Sequence, residues 1–199
     1  TTAPPPPAGQ GVLAIGDSIM IDIKTDLEGL LPGIAIDAVV GQHLTQAEAT
    51  VPTLKANGDV GNRLIVELGT NGPFTPTQLK AFLGSLGPME RIVLLNTRVS
   101  QPWQTQVNQV IATVAATYPN AVLVDWYAAS AGHPTYFWTD GIHVNPTGQR
   151  VLATLIVQAL NTPPPTTTTT TTTTAPKATP PKPKGAGHKG TTTTAAAAK

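Results

Sequence analysis

Five short apolar runs alternate with stretches of helical spacing along the middle of this chain. The runs consist mainly of Val, Ile, Leu and Ala and lie at 12–15, 34–40, 64–68, 92–95 and 121–124. Between them, apolar residues recur every three or four positions, which is the spacing of a helix with one buried face. Strands that alternate with helices form parallel sheets covered on both faces. The pattern therefore predicts an α/β fold, a three-layer α/β/α sandwich around a five-stranded parallel sheet.

Capping patterns predict where several helices begin. The pairs Thr75-Pro76 and Asn145-Pro146 each combine an N-cap residue with a proline at the first helical position. Thr45 and Glu48 match the Thr-x-x-Glu capping box, so we expect another helix to begin there. Pro52 lies further along the same stretch, and a proline inside a helix removes a backbone hydrogen bond. We therefore expect two short helical pieces in that region.

The two ends of the chain differ in composition from the middle. Residues 1–8 contain four consecutive prolines, and residues 162–199 contain three prolines, nine threonines, and then Lys, Pro, Ala, Gly and more Thr. Such segments have too little apolar surface to offset the entropy of ordering them. We expect a disordered Pro-rich linker at 1–8, one globular domain at 9–161 and a disordered Thr/Pro/Lys-rich tail at 162–199.

Charge is divided unevenly between these parts. Residues 9–161 contain seven Lys/Arg and eleven Asp/Glu, a net charge of −4, whereas the tail contains five lysines and no acid, a net charge of +5. A basic, extended tail suits contact with an anionic polymer, and its threonines suit O-glycosylation. A solubilising linker explains the same composition equally well.

Several classes of site are absent from the sequence. The chain has no cysteine, and it shows no H-x-x-H or clustered-acid pattern, so we expect no metal and no cofactor. No apolar run reaches the ~18 residues of a membrane span. Because the chain begins with Thr rather than Met, we expect a mature product or a domain cut from a longer protein. We also expect a monomer with no nucleic-acid partner.

A serine stands where the first strand gives way to the first helix. The sequence Gly16-Asp17-Ser18 follows the first apolar run directly. A strand, a tight turn and a helix start would lift the Ser18 hydroxyl clear of the sheet, near the free N–H groups of a helix N-terminus. Those features suit a nucleophile, because the N–H groups stabilise negative charge. The alternative is that Ser18 only caps the helix.

The long loop after the fifth strand carries a histidine and an aspartate. Asp140 precedes His143 by three residues, with Gly141 between them. A serine nucleophile needs a base, and an imidazole in turn needs an acceptor that fixes its tautomer and orientation. Asp140 could fold back to supply that acceptor. The alternatives are a turn-forming aspartate and an ordinary loop histidine.

Three groups at strand ends are candidate donors for an oxyanion. They are the Ser18 N–H, the N–H of Gly41 after the second strand, and the side-chain amide of Asn71 after the third. In a flavodoxin-like strand order, 2-1-3-4-5, ligands bind where strands one and three are neighbours, so Ser18 and Asn71 would lie side by side. A turn glycine and a turn asparagine are the alternatives.

These features occur as four separated blocks in the chain. The blocks are Gly16-Asp17-Ser18, Gly41, Gly69-Thr70-Asn71 and Asp140-Gly141-Ile142-His143. In this order they resemble the blocks of the SGNH (GDSL-type) hydrolase superfamily. The resemblance implies the SGNH fold, with residues 9–161 as its catalytic domain. It also implies Ser18 as nucleophile, His143 as base, Asp140 as its orienting acid, and an oxyanion hole formed by Ser18, Gly41 and Asn71.

Two regions of the chain also resemble one particular family within the SGNH superfamily. Gly-Thr-Asn-Gly at 69–72 and the loop at 98–103 are similar to the extracytoplasmic domain of peptidoglycan O-acetyltransferases. By this resemblance Val99 faces the acyl pocket. Trp103 and Trp138 could stack on sugars, although packing explains them equally well. Many relatives carry an arginine after the glycine of the second block, whereas this chain has Gln42-His43. We expect His43, His133 and His188 to be surface or structural residues.

The resemblance implies an extracytoplasmic serine O-acyltransferase that O-acetylates a cell-wall glycan such as peptidoglycan. The sequence has no phosphate-binding glycine motif for a nucleotide or coenzyme A. We therefore expect a membrane acyltransferase domain or protein to deliver the acyl group, and a wall glycan to accept it, outside the cell or on the outer face of the membrane. The alternatives are a carbohydrate O-acetylesterase with the same triad and a non-catalytic wall-binding module.

Overall fold

The computed structural model describes residues 5–163 and contains one five-stranded parallel sheet. The strands are β1 (Val12–Gly16), β2 (Ala35–Ala38), β3 (Arg63–Glu67), β4 (Arg91–Leu95) and β5 (Ala121–Val124). Their order across the sheet is β2-β1-β3-β4-β5, and every neighbouring pair is parallel. The predicted flavodoxin-like order is confirmed.

Six helices and a short 3-10 turn connect and cover the strands within this range. The helices are α1 (Ser18–Leu30), α2 (Leu44–Asn57), α3 (Pro76–Leu86), α4 (Gln104–Ala115), α5 (Trp126–Ala129) and α6 (Pro146–Asn161), and the 3-10 turn is Pro134–Tyr136. One apolar cluster joins α2, α3 and α4 to one face of the sheet. A second cluster joins α1 and α6 to the other face. The α/β/α sandwich predicted from the sequence is therefore confirmed.

The sheet is buried on both faces because its side chains alternate between the two clusters. Leu13 and Ile15 of β1 belong to the cluster under α2, α3 and α4, whereas Val12 and Ala14 belong to the cluster under α1 and α6. All four are at most 1% exposed. A strand buried on both faces is apolar throughout, which explains why the sequence shows continuous apolar runs.

Two helix starts follow the predicted caps. Thr75 accepts a hydrogen bond from the Gln78 N–H at the start of α3, and the Gln78 side chain accepts one from the Thr75 N–H. Asn145 Oδ1 accepts hydrogen bonds from the N–H groups of the second and third residues of α6. Each cap therefore satisfies donors that the first helical turn leaves free.

The second helix differs from the prediction in two ways. It begins after His43, and the Gln46 side chain accepts a hydrogen bond from the His43 N–H at 2.8 Å, so the predicted Thr45 cap is wrong. It also runs without interruption through Pro52. Pro52 leaves one carbonyl without its helical donor, but Val51 and Leu54 on either side are buried in the core. Packing of the apolar face therefore outweighs the loss of one backbone hydrogen bond.

The region after β5 is more ordered than the predicted long loop. It contains α5 and the 3-10 turn, because Asp125 caps α5 through the Ala128 N–H and Trp126 is buried. The Trp126 ring stacks on Tyr136 with ring centroids 6.1 Å apart and lies against Phe137. The predicted second strand is also shorter than expected, because residues 39–42 form a turn.

The ends of the described chain carry no further helix or strand. Residues 1–4 of the predicted linker and residues 164–199 of the predicted tail, including His188, lie outside the described residues. None of the helices between residues 5 and 163 combines the length and the apolar character needed to cross a membrane.

Candidate active site

Ser18 is the first residue of α1 and lies two residues after Gly16, the carboxyl end of β1. Asp17, rather than Ser18, is the N-cap, because Asp17 Oδ1 accepts a hydrogen bond of 3.0 Å from the Ile19 N–H. The interpretation of Ser18 as a mere cap is therefore wrong. The turn is tight: a Cβ atom at Gly16 would lie 2.4 Å from Met20 Cβ, so only glycine fits at that position. The strand and the helix together fix the Ser18 hydroxyl at the edge of the sheet.

His143 joins Ser18 to Asp140. His143 Nε2 lies 3.0 Å from Ser18 Oγ, and His143 Nδ1 lies 2.7 Å from Asp140 Oδ2. The structure thus brings together three side chains from opposite ends of the domain in the arrangement that a serine nucleophile requires. In such an arrangement the imidazole can take the hydroxyl proton while the carboxylate stabilises the resulting imidazolium.

Asp140 also shapes the turn that presents His143. Its Oδ1 atom accepts hydrogen bonds from the N–H groups of Ile142, at 2.9 Å, and His143, at 3.0 Å. Gly141 adopts a left-handed φ of 70° within this turn. Donation from the Ile142 N–H, and next from the His143 side chain, lowers the pKa of Asp140. Asp140 is therefore both the turn-forming aspartate and the partner of His143.

A residue that sequence reasoning missed ties this loop to α1. Asp22 Oδ2 accepts a hydrogen bond of 3.1 Å from the N–H of Val144, which is fully buried. Burial raises the pKa of Asp22, against the lowering effects of the Val144 N–H and of His143. Asp22 lies four residues after Ser18, so both face the same side of α1. That i, i+4 spacing is the only signal that could have identified it.

The three predicted oxyanion donors lie at the carboxyl ends of adjacent strands. Ser18 follows β1, Gly41 lies in the turn after β2, and Asn71 follows β3. Gly41 has a φ of 74°, in a turn closed by the Gln42 N–H on the Val39 carbonyl at 3.1 Å. Within residues 5–163 the N–H groups of Ser18 and Gly41 have no hydrogen-bond acceptor. Both are therefore available to a ligand.

Asn71 has one of its amide hydrogens already engaged. Its Nδ2 donates to Asp17 Oδ2 at 2.9 Å, which leaves the second hydrogen of that amide for a ligand. Asp17 in turn contacts Glu67, whose Oε2 accepts a hydrogen bond of 3.2 Å from the Asp17 N–H. Sequence reasoning assigned no role to Glu67 or to the Asp17 side chain. An acid that follows three apolar strand residues, two positions before Gly69-Thr70-Asn71, was the available signal.

The three candidate substrate-binding residues differ in how far they are buried. Trp103 is half-buried against the core, and its indole N–H donates to the Gly69 carbonyl at 3.1 Å, so it braces the segment that carries Asn71. Val99 is 3% exposed and borders an open cleft together with Gly141. Trp138 is 55% exposed, on the loop that carries Asp140 and His143.

Two other side chains support the loops around the site. Arg98 donates from Nε to Ser130 Oγ at 2.7 Å and lies over the Tyr127 ring, which joins the loop after β4 to α5. His43 packs against the backbone of Gly72, where a Cβ atom would lie 2.7 Å from its ring. Between residues 5 and 163 no three His, Cys, Asp or Glu side chains are grouped as metal ligands.

Comparison with known proteins finds relatives that are named as peptidoglycan O-acetyltransferases. No family model matches the chain. Peptidoglycan O-acetyltransferase OatA of Listeria monocytogenes is 41% identical over 149 residues, which cover 75% of this chain and 24% of that protein. The chain spans about a quarter of the length of the curated relatives it matches.

Solved structures with a similar fold are also known. The C-terminal catalytic domain of Streptococcus pneumoniae OatA, solved with a methylsulfonyl adduct, superposes with a TM-score of 0.66 at 22% identity, covering 77% of this chain and 93% of that one. A GDSL-like lipase of Bacteroides thetaiotaomicron superposes with a TM-score of 0.58 at 17% identity, covering 75% and 86%. The chain therefore has the SGNH hydrolase fold, and its sequence is homologous to a segment of the peptidoglycan O-acetyltransferases.

Proposed function

We propose that this chain is the catalytic part of an extracytoplasmic serine O-acyltransferase that acetylates a cell-wall glycan such as peptidoglycan. The observation that carries the proposal is the continuous contact from Ser18 Oγ through His143 to Asp140, with separations of 3.0 and 2.7 Å. The names of the homologous proteins, which are peptidoglycan O-acetyltransferases, support the choice of acyl group and acceptor.

In the first half-reaction Ser18 accepts the acyl group. The Ser18 hydroxyl attacks the carbonyl carbon of an acyl donor while His143 Nε2 takes its proton. The carbonyl oxygen becomes negatively charged, and the free N–H groups of Ser18 and Gly41 and the second amide hydrogen of Asn71 donate to it. Collapse of this intermediate breaks the bond to the leaving group, which receives the proton from His143. An acyl-Ser18 ester remains.

In the second half-reaction a sugar hydroxyl replaces the leaving group. His143 removes the hydroxyl proton as the sugar oxygen attacks the acyl-Ser18 carbonyl, and the same donors hold the second oxyanion. The Ser18 oxygen leaves and regains its proton from His143. Asp140 stays ionised throughout, because its lowered pKa keeps it charged at neutral pH. The acyl group ends on the sugar and the triad returns to its starting state.

The partners follow from this scheme. The acceptor is a wall glycan, bound along the carboxyl edge of the sheet, where Trp138 offers an exposed ring for stacking on a sugar face. The donor is a membrane acyltransferase domain or protein that hands an acyl group to Ser18. Both partners place the reaction outside the cytoplasm.

The test measures how acyl groups are distributed between water and sugar. A small activated acetyl ester replaces the membrane donor, and peptidoglycan oligomers are added at rising concentration. We expect free acetate to fall and O-acetylated sugar to rise together, as mass spectrometry can follow. A Ser18→Ala variant supplies the background. A constant acetate yield with no acylated sugar would contradict transfer to the glycan.

A carbohydrate O-acetylesterase is the second candidate, and one observation favours it. The side chains of His143 and Asp140 are 40% and 45% exposed, so water can reach the acyl-enzyme. An esterase would release acetate from acetylated glycan at a rate unaffected by unacetylated oligomers. A wall-binding module without catalysis is the third candidate; it would bind the oligomers but turn over no activated ester.

A further inference from the structure

A buried acid lies directly beneath the turn that carries Ser18. Glu67 is the last residue of β3, is 4% exposed, and pairs in register with Gly16 of β1. Its side chain points toward α1, since β3 residues of the same parity belong to the cluster under α1 and α6. The proposed acyl-transfer steps do not use this carboxyl group. An acid in such a position costs free energy unless its surroundings compensate.

The main contact of Glu67 is with Asp17, which is fully buried. Glu67 Oε2 accepts the Asp17 N–H at 3.2 Å, which brings the Glu67 carboxyl group next to Asp17. Both acids are buried, and two ionised carboxylates so close together repel each other, which favours a proton on one of them. Burial, and next the charge of Asp17, raise the pKa of Glu67 well above its ordinary value. Burial also raises the pKa of Asp17, but less than that of Glu67, so we assign the proton to Glu67, whose O–H can then donate to the Asp17 carboxylate.

The Asp17 carboxylate connects this acid to the candidate oxyanion donors. Its Oδ1 atom accepts the Ile19 N–H at 3.0 Å, which fixes the first turn of α1 and with it the Ser18 N–H. Its Oδ2 atom accepts the Asn71 side-chain amide at 2.9 Å, which fixes the direction of the second amide hydrogen. One carboxylate therefore orients two of the three donors.

We propose that Glu67 is a positioning residue for the oxyanion site, acting through Asp17 on Asn71 and Ser18. The proposal rests on the proposed acyl-transfer function for its kinetic consequences, but the geometry it describes can be measured separately. Removing the Glu67 donor leaves a buried carboxylate with an unmet hydrogen bond. Asp17 then shifts or takes up a proton, and Asn71 loses a fixed acceptor.

The kinetic test compares two substitutions of similar size. Glu67→Gln retains a donor for the Asp17 carboxylate and an acceptor for the Asp17 N–H, whereas Glu67→Met retains neither. On a small activated ester we expect Glu67→Gln to keep kcat within about threefold of the wild type. We expect Glu67→Met to lower kcat about 10- to 100-fold with little change in KM, because loss of an oxyanion donor acts on the transition state. Thermal unfolding of both variants shows whether each is folded.

A double substitution separates positioning from general destabilisation. In an Asn71→Ala background the side chain that Glu67 orients is gone, so adding Glu67→Met should cost much less in kcat than it does alone. An equal cost in both backgrounds would overturn the proposal. Full kcat in a folded Glu67→Met variant, or a tenfold loss in Glu67→Gln, would also overturn it.

An NMR measurement made without substrate tests the positioning role of Glu67 independently of the reaction that the protein catalyses. The Asn71 side-chain amide gives a pair of signals in a ¹⁵N NMR spectrum, assigned by their absence from Asn71→Ala. We expect these signals to shift or broaden in Glu67→Met and to stay close to the wild-type position in Glu67→Gln.

Unchanged Asn71 signals in a folded Glu67→Met variant would contradict the proposal, even if no ester were turned over. Conversely, shifted signals with an inactive wild type would contradict the acyl-transfer function alone. If Glu67→Met does not fold, a Glu67→Gln variant with displaced Asn71 signals still overturns the proposal.

Discussion

At the scale of single residues, the site depends on hydrogen bonds that each side chain makes in two directions. His143 contacts Ser18 with one ring nitrogen and Asp140 with the other. Asp140 accepts from its own turn with Oδ1 and from His143 with Oδ2. Asp17 accepts from α1 with Oδ1 and from Asn71 with Oδ2. A substitution at any of these positions therefore disturbs two contacts at once.

Loss of the Ser18 hydroxyl should abolish turnover. Ser18→Ala should leave the fold intact and lower turnover of an activated ester at least about a thousandfold, because the nucleophile is lost. A serine-directed covalent reagent should add one label, at Ser18, by mass spectrometry. Ser85→Ala is the matched control, since the Ser85 hydroxyl only donates to the Phe82 carbonyl within α3. Full activity in Ser18→Ala would contradict the proposed role of Ser18 as nucleophile.

Glu67 makes stability depend on pH. Its pKa is raised in the folded protein, first by burial, so the folded state binds more protons than the unfolded chain. The free energy of unfolding should therefore fall as the pH rises from about 4.3, where an unfolded Glu ionises, through the folded-state pKa. Glu67→Gln removes this dependence, and the variant should gain up to about 1.4 kcal/mol per pH unit over the wild type in that window.

Urea unfolding at several pH values between about 4 and 8 measures this difference. Glu90→Gln is the control, because Glu90 is exposed and its substitution should leave the wild-type curve unchanged. Parallel curves for wild type and Glu67→Gln would show that Glu67 does not titrate differently in the folded protein.

At the scale of elements, the catalytic loop is held as a unit against α1. An isolated β-bridge joins Phe137 to Val144, and the Trp138 N–H donates to the His143 carbonyl at 2.9 Å. Asp22 fastens the far side of this loop to α1 through the Val144 N–H. The loop therefore reaches Ser18 with a fixed shape, and His143 needs little rearrangement to act.

Asp22→Ala should loosen that attachment. It leaves the buried Val144 N–H without an acceptor, so we expect a loss of about 1–3 kcal/mol in unfolding free energy. We also expect kcat for an activated ester to fall while Ser18 remains open to covalent labelling. Asp26→Ala, one turn later on α1, is the matched control, and it should affect neither quantity. If the two variants behave alike, the Asp22 contact has no bearing on the loop.

Sequence patterns predicted most elements because each strand is apolar and each helix has a buried face. They also predicted that Ser18, Asp140 and His143 would meet, since the order of the four motif blocks along the chain resembles that of the SGNH superfamily. The errors have physical causes. Pro52 lies in a helix whose neighbouring side chains are buried, and Gln46, rather than Thr45, completes the cap. The contacts of Asp22, Asp17 and Glu67 depend on how helices lie over the sheet, which no local pattern reveals.

Pro52 allows a test of how much the missing backbone hydrogen bond in α2 costs in stability. Pro52→Ala restores an N–H that can donate to the Glu48 carbonyl, and Pro52 is exposed, so no packing is lost. We expect the variant to unfold at a higher temperature, with a gain of about 1 kcal/mol or more. Pro88→Ala, in the connection after α3, should give no such gain. A lower melting temperature for Pro52→Ala would mean that proline suits this helix better than alanine.

At the scale of the whole molecule, the candidate site and most exposed apolar side chains share one edge of the sheet. Within residues 5–163, six large apolar side chains are exposed: Ile21, Leu30, Val39, Val40, Tyr127 and Trp138. Val39, Val40 and Tyr127 lie within three residues of the carboxyl end of a strand, and Ile21 lies in the first turn of α1. Trp138 lies on the loop that carries Asp140 and His143, whereas Leu30 ends α1. At the opposite edge, Arg63 donates hydrogen bonds to the carbonyls of Ala8 and Gln10.

The basic tail should bind anionic polymers. Five tail lysines oppose a domain of net charge −4, so the full chain should be retained on phosphocellulose at low salt and released by about 0.5 M salt. Replacing the five tail lysines by Gln should abolish retention. Replacing Lys24, Lys55 and Lys80 of the domain should not. Equal retention of both variants would mean that the tail charge plays no part in binding anionic polymers.

The contact between His143 and Ser18 joins residues that are 125 positions apart in the chain. The nucleophile leaves the ribosome among the first residues of the domain, and its base among the last. A chain that is still being synthesised holds Ser18 with no base beside it until residue 143 has been added. Such a chain cannot attack an ester. Activity therefore arrives in one step with the completed fold, and an assay of turnover also counts the molecules that have finished folding.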